Sequence, residues 1–539
     1  MISSDSFFTV IKKQWAVVAA VIITLIAFFL RFWLFRRYHN PLMLHEQDGI
    51  AYMSNALALL SFKLPNDLYM PPFYSFVIAL FSLLPVKLET AARVASITMD
   101  ALVVLPLYGL ARIFLARLPA LAVCGLWATF SFSLFYAPSP LSQSTYLLML
   151  LSGTYFLYRA STNGLGYRFY WASGACLCAA YQTRPEGIVA LGAGLALIAL
   201  SALQGGADRR RQVKGAVFFA VAFALCALPY ILALHAKLGH WTFTAKTTVA
   251  IMGIDGSLTL GSAGGKAKSG VELWLEHFGG VSGGINFIIG NITAFFNLLL
   301  KTFPAWTHVF ALAGLLFMLI SKKFVPRLFP LLLFVVTIPV YVANLPKGNA
   351  YIYPLFPLYL LALVVGIQGM LSLAGKGVNR LLPALSARVL STLLALLLLL
   401  PTGSIAMNAW REVNANFTAA DYLNQVDIAD KIMRIAGEDV KTFSLPGEYV
   451  MTRWGLISYF ADRPLMVLPK GSIDEVLAYG RKNGARLLVI DSGAVDTRRQ
   501  ELLELLNPLF GKGIDPRYRL RVVAARINDV GGYVIYRYM

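Results

Sequence analysis

Long unbroken apolar runs, separated by short basic clusters, set the pattern of this chain. The stretches near 15–35, 91–113, 118–137, 215–235 and 388–404 are each long enough to cross a bilayer, which takes about 20 apolar residues as a helix. The in–out alternation of a membrane β-barrel is absent, so the runs predict helices. Between them lie Lys12 and Lys13, Arg112 and Arg117, Arg159 and Arg168, Arg209 to Arg211 with Lys214, Lys322, Lys323 and Arg327, and Lys376, Arg380 and Arg388. Loops rich in Lys and Arg stay on the cytoplasmic side. The spans then order into about eleven helices, with the N-terminus cytoplasmic and the C-terminus outside.

The outward segments on this scheme are residues 36–90, a turn at 138–142, another at 183–187, a long loop over 236–303, and 344–351. In the first loop, YMPPFYSFVIALF (69–81) is short and interrupted by proline, which predicts a helix lying at the interface. The second long loop holds GSAGGKAKSG (261–270) and HFGGVSGG (277–284), a composition that favours a mobile segment. Two domains follow: a membrane module over 1–404, and a soluble α/β domain over 405–539. In the latter, DRPLMVLP (462–469) reads as a strand, and SIDEVLAYGRKNG (472–484) as a helix opened by Ser472 and closed by Gly484. ARLLVID (485–491) reads as a buried strand and GGYVIYRYM as a closing one.

Composition sharpens the class. Hydrophobic residues make up 58% of the chain and charged ones 14%, which excludes a soluble globular protein. The net charge of +20 would suggest nucleic acid, but from residue 405 onward 18 Lys and Arg face 16 Asp and Glu, so the excess lies in the membrane half. That placement argues against a nucleic-acid partner. Cys124, Cys176, Cys178 and Cys226 sit in apolar segments without metal or redox spacing and read as packing residues. The first apolar stretch ends at Arg36 and Arg37, which predicts a retained signal anchor.

Candidate chemistry concentrates in the outward segments. HEQDGIAYM (45–53) places Glu46 and Asp48 just after the first span, although loop acids are often merely solvated. TRPEG (183–187) puts Arg184 at an outward turn, where its planar fork suits phosphate oxygens. Lys347 in NLPKGNAY and Lys246 after Trp241 and Phe243 sit at the same predicted depth; snorkelling to headgroups is the alternative for all three cations. Asp100 lies inside a span, where an ionised group is costly, with Arg93 or Arg31 as candidate partners; it is not assigned to the site.

Asp48, Gly49 and Tyr52, then Pro71, Pro72 and Tyr74 before an apolar run, resemble the start of the GT-C membrane glycosyltransferases. The likeness is to the bacterial branch related to the protein mannosyltransferases and the lipid A aminoarabinose transferase. It continues in order through SPLSQSTYLLML (139–150), TRPEGI (183–188), LGHWTFTAK (238–246), NLPKGNAYIYPLFP (344–357) and the strands of the outer domain. The resemblance implies transfer of a sugar from a polyprenyl-phosphate donor to a lipid, glycan or protein acceptor at the outer face of a bacterial cytoplasmic membrane. Asp48, with Glu46 second, would be the base. Arg184, Lys347 and Lys246 would hold the carrier phosphate, with Tyr52, Tyr74 and Tyr353 as further substrate contacts.

A phosphate leaves without protonation, so one base suffices, whereas a glycosidase needs a pair of carboxyls. At SPLSQST the family often has an acid where this chain has Ser142 or Gln143, which puts a second acidic contribution in doubt. His45, Glu46 and Asp48 could bind a divalent metal, as acids of these loops do in some relatives. Hydrophobicity alone also permits a lipid or glycan flippase, or an envelope scaffold without activity.

Overall fold

The computed structural model describes residues 4–37, 47–65, 68–162, 166–204, 209–245, 279–320, 352–381, 411, 432–469, 471–493, 495, 500–528 and 531–539. Two compact units are present: one helical, the other built on a small sheet. The second contains Asn414–Met539. It also takes the opening turn of the helix that carries Asp48.

The helical unit runs α1 Ser4–Arg37, α2 Gln47–Leu60, α3 Pro72–Phe81, α4 Leu88–Leu102, α5 Val104–Phe114, α6 Arg117–Thr129, α7 Ser131–Tyr136, α8 Gln143–Thr162, α9 Arg168–Tyr181, α10 Ile188–Gln204, α11 Arg209–Leu238, α12 Val281–Thr302, α13 Ala305–Leu319 and α14 Phe356–Leu381. Among the described residues, six helical stretches are long and apolar enough to cross a membrane: Gln14–Arg37, Leu88–Phe114, Pro185–Leu203, Arg209–Lys237, Val281–Thr302 and Tyr353–Leu373. The expected span at 388–404 lies outside the described residues.

The polarity of α1 is inverted relative to a soluble helix. It exposes Ile22, Ile26 and Phe29 while burying Ala20, Ala27 and Arg31 completely or nearly so. With lipid as the solvent, apolar side chains cost nothing outside, and small or partnered polar residues belong within the bundle. Glycines let backbones meet elsewhere. A Cβ at Gly314 of α13 would stand 1.8 Å from the Ala362 carbonyl of α14, and one at Gly366 1.8 Å from that of Phe310.

Over 69–81 the expected helix is present as α3, opened by Pro71 and Pro72. The segment 236–303, expected as an open loop, differs: α12 occupies 22 residues of it, Val281–Thr302. Glycines and asparagines dilute its hydropathy, yet Ile285, Ile289, Ile292 and Phe296 form one exposed stripe at helical spacing. The remainder of that loop from Lys246 to Phe278, including the Gly-rich run 261–270, falls outside the described residues. Of the four free cysteines, Cys124 and Cys178 are buried and Cys226 is exposed.

In the second unit, β1 Tyr449–Thr452, β2 Leu465–Val467, β3 Ala485–Asp491, β4 Leu520–Asn528 and β5 Gly531–Tyr538 form one sheet in the order β2-β1-β3-β5-β4. The strands read at 462–469, 485–491 and the C-terminus are thus present. A helix over Ile473–Lys482 connects β2 to β3, opened by a reciprocal capping box between Ser472 and Glu475. Gly484 follows it at φ +78°, a left-handed position that glycine adopts without strain. Away from the sheet core, Asp439 takes a two-point bond from Arg526 and one from the Tyr533 hydroxyl. Burial, reinforced by that carboxylate, pushes the Tyr533 hydroxyl well above the ordinary tyrosine range.

Candidate active site

Arg184 is held by local sequence logic. Pro185 disfavours helix at the residue before it, and Arg184 accordingly is extended, at φ −144° and ψ 129°, capping the short 3₁₀ turn Pro185–Gly187. Its amide returns to the Ala180 carbonyl at 2.9 Å, and Gly187 returns to its own carbonyl at 2.9 Å. A Cβ at Gly187 would meet the Tyr181 amide nitrogen at 2.4 Å, so the turn folds tightly back on the end of α9. The guanidinium Nη2 pairs with Glu186 Oε1 at 3.0 Å, both side chains being under one-fifth exposed. Tyr146, from the first turn of α8, lies beneath it, 5.8 Å from ring centroid to guanidinium carbon. The negative face of an aromatic ring attracts a cation, the more so where water is partly excluded.

Other segments read as outward meet this turn at one end of the bundle. The Phe73 amide, at the start of α3, donates to the Gln182 carbonyl at 2.9 Å. Tyr181 donates to the Phe243 carbonyl, Tyr230 to that of Leu68 at 3.1 Å, and Lys237 to that of Pro65 at 3.2 Å. Arg93 bridges the start of α4 to the 138–142 turn through the Pro138 carbonyl at 3.1 Å. Parts of the first loop, both short turns and the start of the second loop therefore gather together.

The remaining site residues fall differently. Tyr52 and Tyr74 are buried, packed edge to face at 4.9 Å, with the Tyr74 hydroxyl bonded to Ser96 Oγ at 2.5 Å. Asp48 is exposed in the first turn of α2, where a negative charge complements the helix dipole. It belongs to the second compact unit and Arg184 to the first. Glu46, His45, Lys246 and Lys347 lie outside the described residues.

Tyr353 turns inward. It is fully buried and donates its hydroxyl to Asp100 Oδ1, in the span interior. Asp100 pairs at 2.8 Å with Arg31, one of its two candidate partners, while Arg93 pairs instead with Glu89 one turn away on α4. Ser133 donates to Asp100 Oδ2 at 2.6 Å and Ser144 to Oδ1 at 3.3 Å. Arg31 also reaches the carbonyls of Ala27, Ala128 and Trp127, and Ser133 Oγ. The parts played by Tyr146 and Ser144 were not anticipated, although both stand in the SPLSQSTY segment.

A family model described as dolichyl-phosphate-mannose-protein mannosyltransferase matches residues 69–232, from α3 into α11, a stretch that holds Tyr146 and Arg184. No curated protein matches the chain in sequence. Among solved structures, ArnT from Cupriavidus metallidurans bound to undecaprenyl phosphate is similar at a TM-score of 0.59 and 15% identity, over 97% of this chain and 98% of that one. The archaeal oligosaccharyltransferase AglB from Archaeoglobus fulgidus, in complex with an inhibitory peptide and a dolichol-phosphate, is similar at 0.55 and 15%, over 92% of this chain and 71% of that one.

Proposed function

We propose that this chain, which has the GT-C fold, is a glycosyltransferase that moves a sugar from a polyprenyl-phosphate carrier to a cell-envelope acceptor at the outer face of a bacterial cytoplasmic membrane. The observation that carries this reading is Arg184: a guanidinium fixed at a bundle end by a proline turn, paired with one carboxylate and backed by an aromatic ring. Similarity over nearly the whole chain to a protein solved with undecaprenyl phosphate supports the same ligand chemistry.

In the proposed reaction the donor enters laterally from lipid, and Arg184, helped by Lys246 and Lys347, holds its phosphate. Asp48, with Glu46 as the alternative, takes the proton of the acceptor hydroxyl. The acceptor oxygen then bonds to the anomeric carbon as the bond from that carbon to the phosphate oxygen breaks. The departing phosphate keeps both bonding electrons, stabilised by the cations. Tyr52 and Tyr74 shape the wall of the site. A divalent metal on His45, Glu46 and Asp48 is not needed for these steps.

The decisive experiment is turnover by the purified protein in vesicles supplied with polyprenyl-phosphate sugars and envelope acceptors, with release of polyprenyl phosphate as the readout. Product formation that disappears in Asp48→Asn and weakens in Arg184→Ala would support the assignment. Movement of a lipid or glycan across the bilayer without a new glycosidic bond would replace it with a transporter.

A further inference from the structure

The mechanism above does not use the ion pair of Arg31 and Asp100, yet this is the most heavily bonded polar cluster described within the helical unit. Both side chains are completely buried. A buried ion pair gains little over a well-packed apolar contact unless its remaining hydrogen-bonding capacity is filled. Here it is filled. The five guanidinium N–H groups meet Asp100, the Ala27, Ala128 and Trp127 carbonyls and Ser133. The two carboxylate oxygens accept from Arg31 and the hydroxyls of Ser133, Ser144 and Tyr353. The Trp127 indole closes the ring by donating to the Asp100 carbonyl at 3.3 Å.

Six elements converge on this cluster: α1, α4, α6, α7, the first turn of α8, and the turn that opens α14. One of them leads to Arg184. Ser144 and Tyr146 are two residues apart at the start of α8; the first is bonded to Asp100, and the second lies under Arg184. Tyr353 sits in the 3₁₀ turn Tyr353–Leu355 that opens α14. An apolar contact could hold the same helices together, but it would not fix the rotation and depth of α8 as directional bonds to one carboxylate do.

We infer that the Arg31–Asp100 pair is a positioning device for donor binding, setting through Ser144 the placement of α8, whose Tyr146 lies under Arg184, and through Tyr353 the start of α14 packed against the same cluster. The inference rests on the donor role proposed for Arg184. Asp100 touches no substrate in this scheme; it acts through α8 and the start of α14.

Replacing Asp100 would strand a buried cation and could unfold the bundle, so the test uses Ser144→Ala and Tyr353→Phe, each of which removes one donor and keeps the pair. Ser173→Ala serves as the structural control, since it deletes a buried bond between α9 and α8, Ser173 to the Gly153 carbonyl at 2.8 Å, away from Arg184. Undecaprenyl phosphate is the probe, its affinity read from the ligand-dependent rise in melting temperature, alongside KM and kcat for the sugar donor.

The expected result is roughly tenfold weaker affinity and higher KM in Ser144→Ala and Tyr353→Phe. kcat should fall much less, and Ser173→Ala should keep normal affinity. If all three variants lose melting temperature alike and bind undecaprenyl phosphate as the unaltered protein does, the pair is structural only and the inference fails. If Arg184→Ala also leaves binding intact, the donor role of Arg184 fails first and takes this inference with it.

Discussion

The guanidinium of Arg184 lies over the ring of Tyr146, at 5.8 Å from the ring centroid, although Tyr146 belongs to α8 and Arg184 to the turn that follows α9. The ring face carries partial negative charge, and a contact of this kind is worth roughly 0.5–2 kcal/mol depending on how much water it excludes. Tyr146→Phe keeps the face, and donor KM should stay within about twofold. Tyr146→Leu removes it, and KM should rise by roughly two- to tenfold with kcat less affected. Steady-state kinetics on the sugar donor checks both.

Gly187 holds the same arginine by a different route. Because a Cβ there would lie 2.4 Å from the Tyr181 amide nitrogen, Gly187→Ala must push the turn off the end of α9. Overpacking of this kind costs about 1–3 kcal/mol. Lower melting temperature and weaker undecaprenyl phosphate affinity should appear together; normal affinity in a destabilised variant would mean that Arg184 tolerates movement of its turn.

Asp48 should separate chemistry from binding. As an exposed residue in the first turn of α2 it contributes to stability through the helix dipole, about 0.3–1 kcal/mol. Asp48→Asn is therefore expected to melt nearly as the parent does and to bind undecaprenyl phosphate normally, with product formation abolished. Retained turnover would move the base to Glu46 or elsewhere.

Arg31 and Asp100 should behave as a unit in stability. Arg31→Met or Asp100→Leu alone leaves one charge buried without its counter-ion, at a cost of about 3–5 kcal/mol. The double variant should recover a large part of that loss, since both charges are gone. Thermal unfolding of the four proteins in one detergent gives the coupling directly, and additive losses would contradict it.

Chemical type was legible in the sequence wherever solvent sets the rule. Apolar runs declared the spans at 15–35, 91–113 and 215–235, and Ser472 the start of its helix to the residue, but the run at 118–137 is divided at Phe130 between α6 and α7, and Lys376 and Arg380, read as a loop, lie within α14. Pairing was harder. Arg31 and Arg93 were equal candidates for Asp100, because helix rotation decides the partner, and rotation follows from packing among several helices that no single segment encodes. The same applies to Tyr353, which reads as a site tyrosine from its neighbours in NLPKGNAYIYP yet spends its hydroxyl on Asp100. α12 escaped the hydropathy reading because Gly283, Gly284, Gly290, Asn286, Asn291 and Asn297 lower the average, while its periodic stripe of Ile285, Ile289, Ile292 and Phe296 was present to be counted.

The close approach of Gly314 and Gly366 also fixes a direction of travel. Thr307 meets Tyr359, Gly314 meets Ala362 and Gly366, and Phe317 meets Gly369, so numbers rise together along both partners. α13 and α14 are consequently co-directional neighbours, and Ile320 leaves the pair at the end opposite to the one where Ile352 enters it. Ile320 and Leu373 therefore stand at the same end of the pair, both exposed, and single cysteines placed at either, in protein stripped of its native cysteines, should react with a membrane-impermeant reagent from the same face.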